Sequence, residues 1–413
     1  MLGVGIIGAG FVTGFHLQAF VGVRDVNVVG IWSRTRQRAE DSAARARQLG
    51  VGETRVFDSI TDMVADPAVD AIWICSPNDT RVETVQAIVS AVGRGAGRLI
   101  GIACEKPLGR TVAEAARILA LVESVGLRHA YLENQVFAPQ IQRGHAIIWA
   151  RGARVTGRPY LARAAEEHSG PHAPWFWQGA LQGGGVLNDM MCHSALLVRH
   201  LLTAPGASRD TLRPVRVSAH IKSLKWTRPA YAARLTATMG PDVDYTRHPA
   251  EDYASMMIEF ETADGQRVVG EATTSWSFVG AGLRLSAELL GPEYSMAWNT
   301  LDTGLNLFFS REVNAGEKAP AGEDLVEKQQ AELGLMPVVA DEAVAYGYEA
   351  ENRHVVEAFG RGVSPLYTFV DGLDVVKVLM TGYMSAELGR TLDYPPAGLD
   401  TFVPKVATGD WVP

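Results

Sequence analysis

Leu2-Gly3-Val4-Gly5-Ile6-Ile7-Gly8-Ala9-Gly10-Phe11-Val12-Thr13-Gly14 is the stretch whose reading decides the fold. The apolar run Leu2–Ile7 predicts a short buried strand, and Phe11–Val23 predicts a helix after it. Between them, Gly8 permits a tight turn. Gly10 lets the backbone approach a pyrophosphate, which would sit on the amides of Phe11 and Val12 at the helix N-terminus. Thr13 stands where a small residue usually packs helix against strand. A plain strand-to-helix turn is the competing reading, and a methyltransferase loop for a sulfonium cofactor is another.

Outward from this loop the same alternation continues. Asn27–Trp32, Ala71–Cys75, Leu99–Cys104 and Leu127–Glu133 read as strands, while Thr35–Leu49, Thr80–Val92 and Val112–Val125 read as helices. The strands show little polar alternation, the mark of a parallel sheet covered on both faces. Residues 1–135 are therefore expected to form a doubly wound parallel sheet, with ligands beyond the carboxyl ends of its strands. At the end of the second strand, Trp32-Ser33-Arg34-Thr35-Arg36-Gln37-Arg38 lacks the acid that usually accepts the ribose hydroxyls of NAD. Ser33, Arg34 and Arg38 suit a 2′-phosphate, so NADP is expected, with NAD as the alternative. A solvated helix start is the bland reading of the arginines.

The alternation then stops. A helix near Gln140–Ala150 is followed by extended segments at Arg158–Glu167, Val215–Trp226, Tyr253–Glu261, Arg267–Trp276, Leu283–Leu290, Tyr294–Trp298 and Leu305–Phe309. Ala263-Asp264-Gly265 is a hairpin signal. Residues 136–413 thus read as an α+β domain on a large open, mostly antiparallel sheet. Val313–Asp324 reads as a mobile surface loop, and Val338–Phe359 and Leu373–Leu388 as long amphipathic helices.

Three further stretches carry chemistry. Cys75-Ser76-Pro77-Asn78 and Cys104-Glu105-Lys106-Pro107 close two strands at the ligand edge of the first sheet, where Ser76, Pro77, Asn78 and Glu105 are expected around a nicotinamide. Lys106 there can polarise a substrate oxygen, unless it is a surface lysine paired with Glu105. Gly183-Gly184-Gly185-Val186-Leu187-Asn188-Asp189-Met190-Met191-Cys192-His193 places an acid and an imidazole four residues apart. On a helix both lie on one face, so Asp189 can orient His193 and His193 can take a proton from an alcohol. His168-Ser169-Gly170-Pro171-His172-Ala173-Pro174-Trp175-Phe176-Trp177 joins the two regimes. Its His168, His172, Trp175 and Trp177 suit the C–H face and hydroxyls of a sugar ring, or else fill core.

Composition narrows the class. The chain has 413 residues, a net charge of −8 and 47% hydrophobic residues, which suits two domains and argues against nucleic acid or anionic membrane as partner. Cys75, Cys104 and Cys192 lack metal-ligand spacing, so no metal is expected, and reduced thiols fit a cytoplasmic location. Leu2–Ile7 already reads as a strand, and no apolar run of about 18 residues predicts a membrane span.

With these residues in view, the chain resembles the Gfo/Idh/MocA family of oxidoreductases, which includes glucose–fructose oxidoreductase and inositol dehydrogenase. The likeness rests on Gly8-x-Gly10 with His16 beyond it, on Glu105-Lys106-Pro107, and on the glycine run followed by Asp189 and His193. It implies an N-terminal Rossmann domain and a C-terminal domain whose open sheet packs subunits into homo-dimers or homo-tetramers. It carries the family's catalytic Lys, Asp and His onto Lys106, Asp189 and His193. Arg81 stands where many relatives have His. The activity implied is hydride transfer between a secondary alcohol of a sugar or cyclitol and a nicotinamide cofactor. Relatives also include glycosidases that oxidise the sugar transiently. A metabolite sensor that binds nucleotide without catalysis is the reading from another class.

Overall fold

Leu2–Ile7 forms β1, with all six residues buried. It is central to a parallel sheet ordered β3-β2-β1-β4-β5-β6. The other strands are β2 (Val26–Trp32), β3 (Arg55–Val56), β4 (Ala71–Ile74), β5 (Gly101–Cys104) and β6 (Arg128–Tyr131). Helices α1 (Phe11–Phe20), α2 (Arg36–Gln48), α3 (Ile60–Ala65), α4 (Arg81–Gly93) and α5 (Val112–Ser124) alternate with them. This is the doubly wound arrangement the sequence predicts, with its order reversing between β1 and β4. The computed structural model describes residues 1–280, 282–304, 306–309 and 334–413.

The chain divides into two compact units: residues 1–139 with 346–376, and residues 140–345 with 377–413. The first unit therefore recruits a segment from far beyond residue 135. The helix Tyr348–Arg361 lays Val355, Val356 and Phe359 into the core formed by Leu2, Val4, Phe20 and Trp73. Gly101 lacks a side chain because the Phe359 ring occupies the space a Cβ would need. Trp73 Nε1 donates to Asn352 Oδ1 at 2.9 Å, so the one polar atom of that buried indole is satisfied. The long helix expected over Val338–Phe359 is broken at Gly347. Its φ of +92° favours glycine, and a Cβ there would strike the Asn134 carbonyl.

The second unit is built on a seven-stranded sheet ordered β12-β11-β7-β10-β9-β8-β15. Its strands are β7 (Leu161–Glu167), β8 (Leu212–Lys222), β9 (Tyr253–Thr262), β10 (Arg267–Ser275), β11 (Arg284–Gly291), β12 (Tyr294–Asn299) and β15 (Leu392–Asp393). A separate pair, β13 (Asn306–Phe309) and β14 (Gly334–Pro337), is antiparallel. The large sheet is antiparallel except where β7 lies parallel to β10. The hairpin at Ala263-Asp264-Gly265 is present: Thr262 N–H donates to the Gln266 carbonyl at 3.0 Å, and Gly265 has a φ of +80°. Residue 305 and the expected loop Val313–Asp324 lie outside the described residues.

Strand alternation gives this sheet two unlike faces. One carries cross-strand ion pairs such as Arg163 with Glu271 and Glu288. The other is buried beneath the helix Val186–Leu202, whose Val198 fills the space left by Gly270 on β10. No helix among the described residues is long and apolar enough to cross a membrane.

Phe359→Ala tests the recruitment of the C-terminal segment. Loss of a buried ring of this size is expected to cost about 3–5 kcal/mol in urea unfolding of the first unit. A cost below about 1 kcal/mol would place residues 346–376 outside that unit's cooperative core.

Candidate active site

In the first unit the glycine loop has two positions with different duties. Gly8 has a φ of +112°, and a Cβ there would press on the Cys75 carbonyl. Gly10 has a φ of −98°, and a Cβ built on it meets nothing within 4 Å. Folding demands glycine at the first position and leaves space in front of the second. Thr13 is fully buried and donates from Oγ1 to the Gly8 carbonyl at 3.2 Å. A hydroxyl thus ties α1 to the loop where a small residue is usual.

At the end of β2, a cavity of about 220 Å³ is lined by Trp32, Ser33, Arg34, Arg36, Val56, Phe57 and Asp58. Ser33 and Arg34 are among its lining residues, and the exposed Arg38 lies outside the lining. Arg36 takes its place and pairs with Asp58 at 2.5 Å and Glu40 at 3.0 Å.

The ends of β4 and β5 are fastened by charge. Arg81, 3% exposed, donates from Nη2 to the Lys106 carbonyl at 2.9 Å and from Nε to the Ser76 carbonyl at 3.3 Å. Thr80 Oγ1 donates to Ser76 Oγ at 3.0 Å and to the Pro77 carbonyl at 2.8 Å, and Asn78 is buried beside them. The Lys106 N–H donates to Glu105 Oε2 at 3.0 Å, while Glu105 Oε1 lies 2.9 Å from His16 Nε2. Burial by itself would raise the Glu105 pKa. The hydrogen bond and charge of His16, with Lys106 and Arg81, outweigh it and hold the pKa below its ordinary value. Lys106 is half-buried, with both polar groups of its backbone held by charged side chains.

In the second unit, the glycine run serves the helix that follows it. Gly183 and Gly184 have φ of +89° and +153°. A Cβ on Gly184 would strike the Tyr383 hydroxyl, and one on Gly185 would strike Glu251 Oε2. These glycines let a carboxylate and a phenol reach the start of the helix Val186–Leu202, whose first amides lack partners within the helix. Glu251 Oε1 accepts from Gly185 N–H at 3.1 Å and Leu187 N–H at 3.0 Å. The Tyr383 hydroxyl accepts from Gly185 N–H at 3.1 Å and Asn188 N–H at 3.2 Å, and donates to Glu251 Oε1 at 2.6 Å. The Glu251 carbonyl takes Val186 N–H at 3.0 Å. Asp189 and His193 follow on this capped helix, 5% and 3% exposed.

One carboxylate was not singled out by the sequence reading. Glu166, near the end of β7, places Oε2 3.8 Å from His193 Nε2. His168 follows it, 2% exposed, with Nδ1 accepting from Gly170 N–H at 3.0 Å. Trp175 stacks on Phe176 with centroids 3.9 Å apart, and His172 lies near the same ring; both are half-buried. Trp177 is 2% exposed and packs among Trp226, Trp276 and Tyr245, so its indole belongs to the core of the second unit. The sugar-facing role weighed for Trp177 gives way to packing. His168, His172 and Trp175 keep candidate positions.

Residues 2–132 match the family described as "Oxidoreductase family, NAD-binding Rossmann fold", and residues 152–296 match the GFO/IDH/MocA C-terminal domain. The chain belongs to the Gfo/Idh/MocA oxidoreductase family. It is 29% identical over 203 residues to 1,5-anhydro-D-fructose reductase of Ensifer adhaerens, covering 48% of this chain and 56% of the relative. It is 29% identical over 199 residues to inositol 2-dehydrogenase of Paracoccus denitrificans, covering 48% and 51%. The matched region thus spans about half the length of these curated relatives. The solved structure of GenD2 from gentamicin A biosynthesis in complex with NAD aligns with a TM-score of 0.74 and 25% identity, over 96% of this chain and 97% of that one.

The helix cap gives this family member a pH signature. Burial lifts Glu251 from an ordinary value of 4.5 to about 7, against the pull of Tyr383 and the backbone donors. The folded carboxyl keeps a proton that the unfolded chain loses, so its contribution is full below about pH 4.5 and is lost as pH rises through about 7. Unfolding free energies of Glu251→Gln, measured from about pH 5 to 8, are expected to vary less with pH than those of the wild type. Parallel curves would remove Glu251 from that dependence.

Proposed function

We propose that this chain is a nicotinamide-dependent dehydrogenase acting on a secondary alcohol of a sugar or cyclitol. The observation that carries the reading is the Asp189/His193 pair, one helical turn apart on a buried, internally capped helix in a member of an oxidoreductase family. In this reading His193 takes the hydroxyl proton during oxidation, and Asp189 orients the imidazole and stabilises its charged form. Lys106 opposes negative charge on the substrate oxygen, with its backbone fixed by Glu105 and Arg81. His168, His172 and Trp175 supply polar and aromatic contacts to the ring of the substrate.

The residues present suit a dinucleotide. The face of Gly10 is open, the amides of Phe11 and Val12 start α1, and Ser76, Pro77, Asn78 and Glu105 stand at the strand ends. When bound, the nicotinamide supplies the hydride acceptor. Ser33, Arg34 and Arg36 at the cavity beyond β2 favour NADP, since Asp58 is already paired with Arg36. Assembly as a homo-dimer or homo-tetramer and a cytoplasmic location belong to the same proposal.

The appearance of reduced nicotinamide absorbance with a panel of sugars and cyclitols tests the activity. His193→Ala is expected to lower turnover by about 10²–10⁴-fold with nucleotide affinity retained. Undiminished turnover would remove the imidazole from the reaction. Glycoside cleavage without net cofactor reduction would shift the assignment to transient oxidation. For the cofactor, Arg34→Ala is expected to weaken NADP binding about tenfold more than NAD binding, or about 1.4 kcal/mol in fluorescence titrations. Wild-type protein that binds NAD more tightly than NADP would overturn the phosphate-binding role.

A further inference from the structure

The alternation along Leu161–Glu167 puts Ala162, Ala164 and Glu166 on the buried side of β7, facing the helix Val186–Leu202. Two of these three positions hold alanine, which suits close packing of a helix on a sheet. The third holds a carboxylate, at 6% exposure. The core-facing positions of β8 to β11 carry apolar side chains, glycine or threonine. Glu166's own register partners, Thr274 and Leu285, are uncharged. An ionisable side chain in such a row costs several kcal/mol unless a partner compensates it. One partner within reach is the imidazole of His193, with Nε2 3.8 Å from Glu166 Oε2.

We infer that Glu166 is a positioning residue for His193: its carboxylate stabilises the imidazolium formed when His193 takes the substrate proton. This rests on the catalytic role proposed above for His193. Asp189 lies on the helix itself, four residues before His193, whereas Glu166 reaches the imidazole from the sheet. Within the second unit, Asp189 shares the helix of His193 and Glu166 stands on the strand beneath it. At 3.8 Å the contact is an ion pair rather than a short hydrogen bond, so it acts through charge and is strongest once the imidazole is protonated. Other titratable groups of the second unit near this helix are Cys192 on the helix itself, His168 after β7, and Glu251 and Tyr383 at the helix start, the last two hydrogen-bonded to its amides.

Glu166→Gln keeps the shape and removes the charge. Losing a nearby anion disfavours the imidazolium, so the His193 titration midpoint is expected to fall by about 1 pH unit. That midpoint is read by NMR of histidine-labelled protein without substrate, with the resonance assigned by its loss in His193→Ala. The acid limb of kcat/KM for alcohol oxidation should move to lower pH by the same amount, with kcat reduced more than KM is raised. Glu166→Asp keeps the charge, withdraws it by one methylene, and should recover part of the midpoint. If Glu166→Gln leaves both the midpoint and kcat unchanged while His193→Ala abolishes turnover, the inference fails and the catalytic reading stands. If the midpoint falls but His193→Ala turns over undiminished, the pairing is real and the catalytic reading fails.

Discussion

Buried backbone amides must find acceptors, and the start of the helix Val186–Leu202 is where this constraint is most demanding. Gly185, Val186, Leu187 and Asn188 present N–H groups in the interior of the second unit, and Gly185 at the N-cap position has no side chain with which to cap them. Glu251, from the loop before β9, and Tyr383, from the helix Phe369–Leu388, meet the demand together. Above about pH 7, where Glu251 ionises, its carboxylate also offsets the positive end of the helix dipole. The glycine run upstream is explained by this arrangement, since side chains at Gly184 and Gly185 would displace the phenol and the carboxylate. The glycine run is thus part of an internal cap at the start of the helix that carries Asp189 and His193.

The first unit solves a related problem at its strand ends. Lys106, proposed to act on the substrate oxygen, is held through N–H by Glu105 and through its carbonyl by Arg81, which fixes its backbone. His16 keeps Glu105 ionised, and the Asn352 side chain lies against the other imidazole nitrogen. Arg81, where many relatives are expected to carry histidine, reaches two strand ends at once because its fork presents several donors. A neutral imidazole presents one.

Most of the architecture was readable from the chain because hydrophobic period and glycine placement are local signals. Leu2–Ile7 matches β1, and α1, α2, α4 and α5 begin and end within a few residues of their expected bounds, whereas α3 was overlooked. Phe11–Val23 ends at Phe20, and Leu99–Cys104 begins at Gly101. The helix Pro229–Met239 was overlooked, although Pro229 at its first position and the alanines after it are a fair start signal. Long-range partnerships were not readable. Glu251 and Tyr383 lie 132 residues apart, and no periodicity links them. Glu166 is intermediate: once Ala162 and Ala164 are assigned to the buried face, the period of two puts the acid there as well. Arg36, which the sequence reading did not single out, lines the cavity beyond β2 with Ser33 and Arg34. Trp177 shows the limit of composition: an aromatic-rich loop suggests a sugar platform, but an indole at 2% exposure is packing.

Gly8 and Gly10 sit two positions apart under unlike pressures. The first is required by a left-handed φ and a carbonyl at its back; the second has an ordinary backbone and empty space before it. A descendant that gave up its nucleotide could therefore acquire a side chain at position 10 at little cost to its fold, yet would still need glycine at position 8. Divergence at this pair of sites would date the loss of cofactor dependence in a lineage independently of any change at the imidazole.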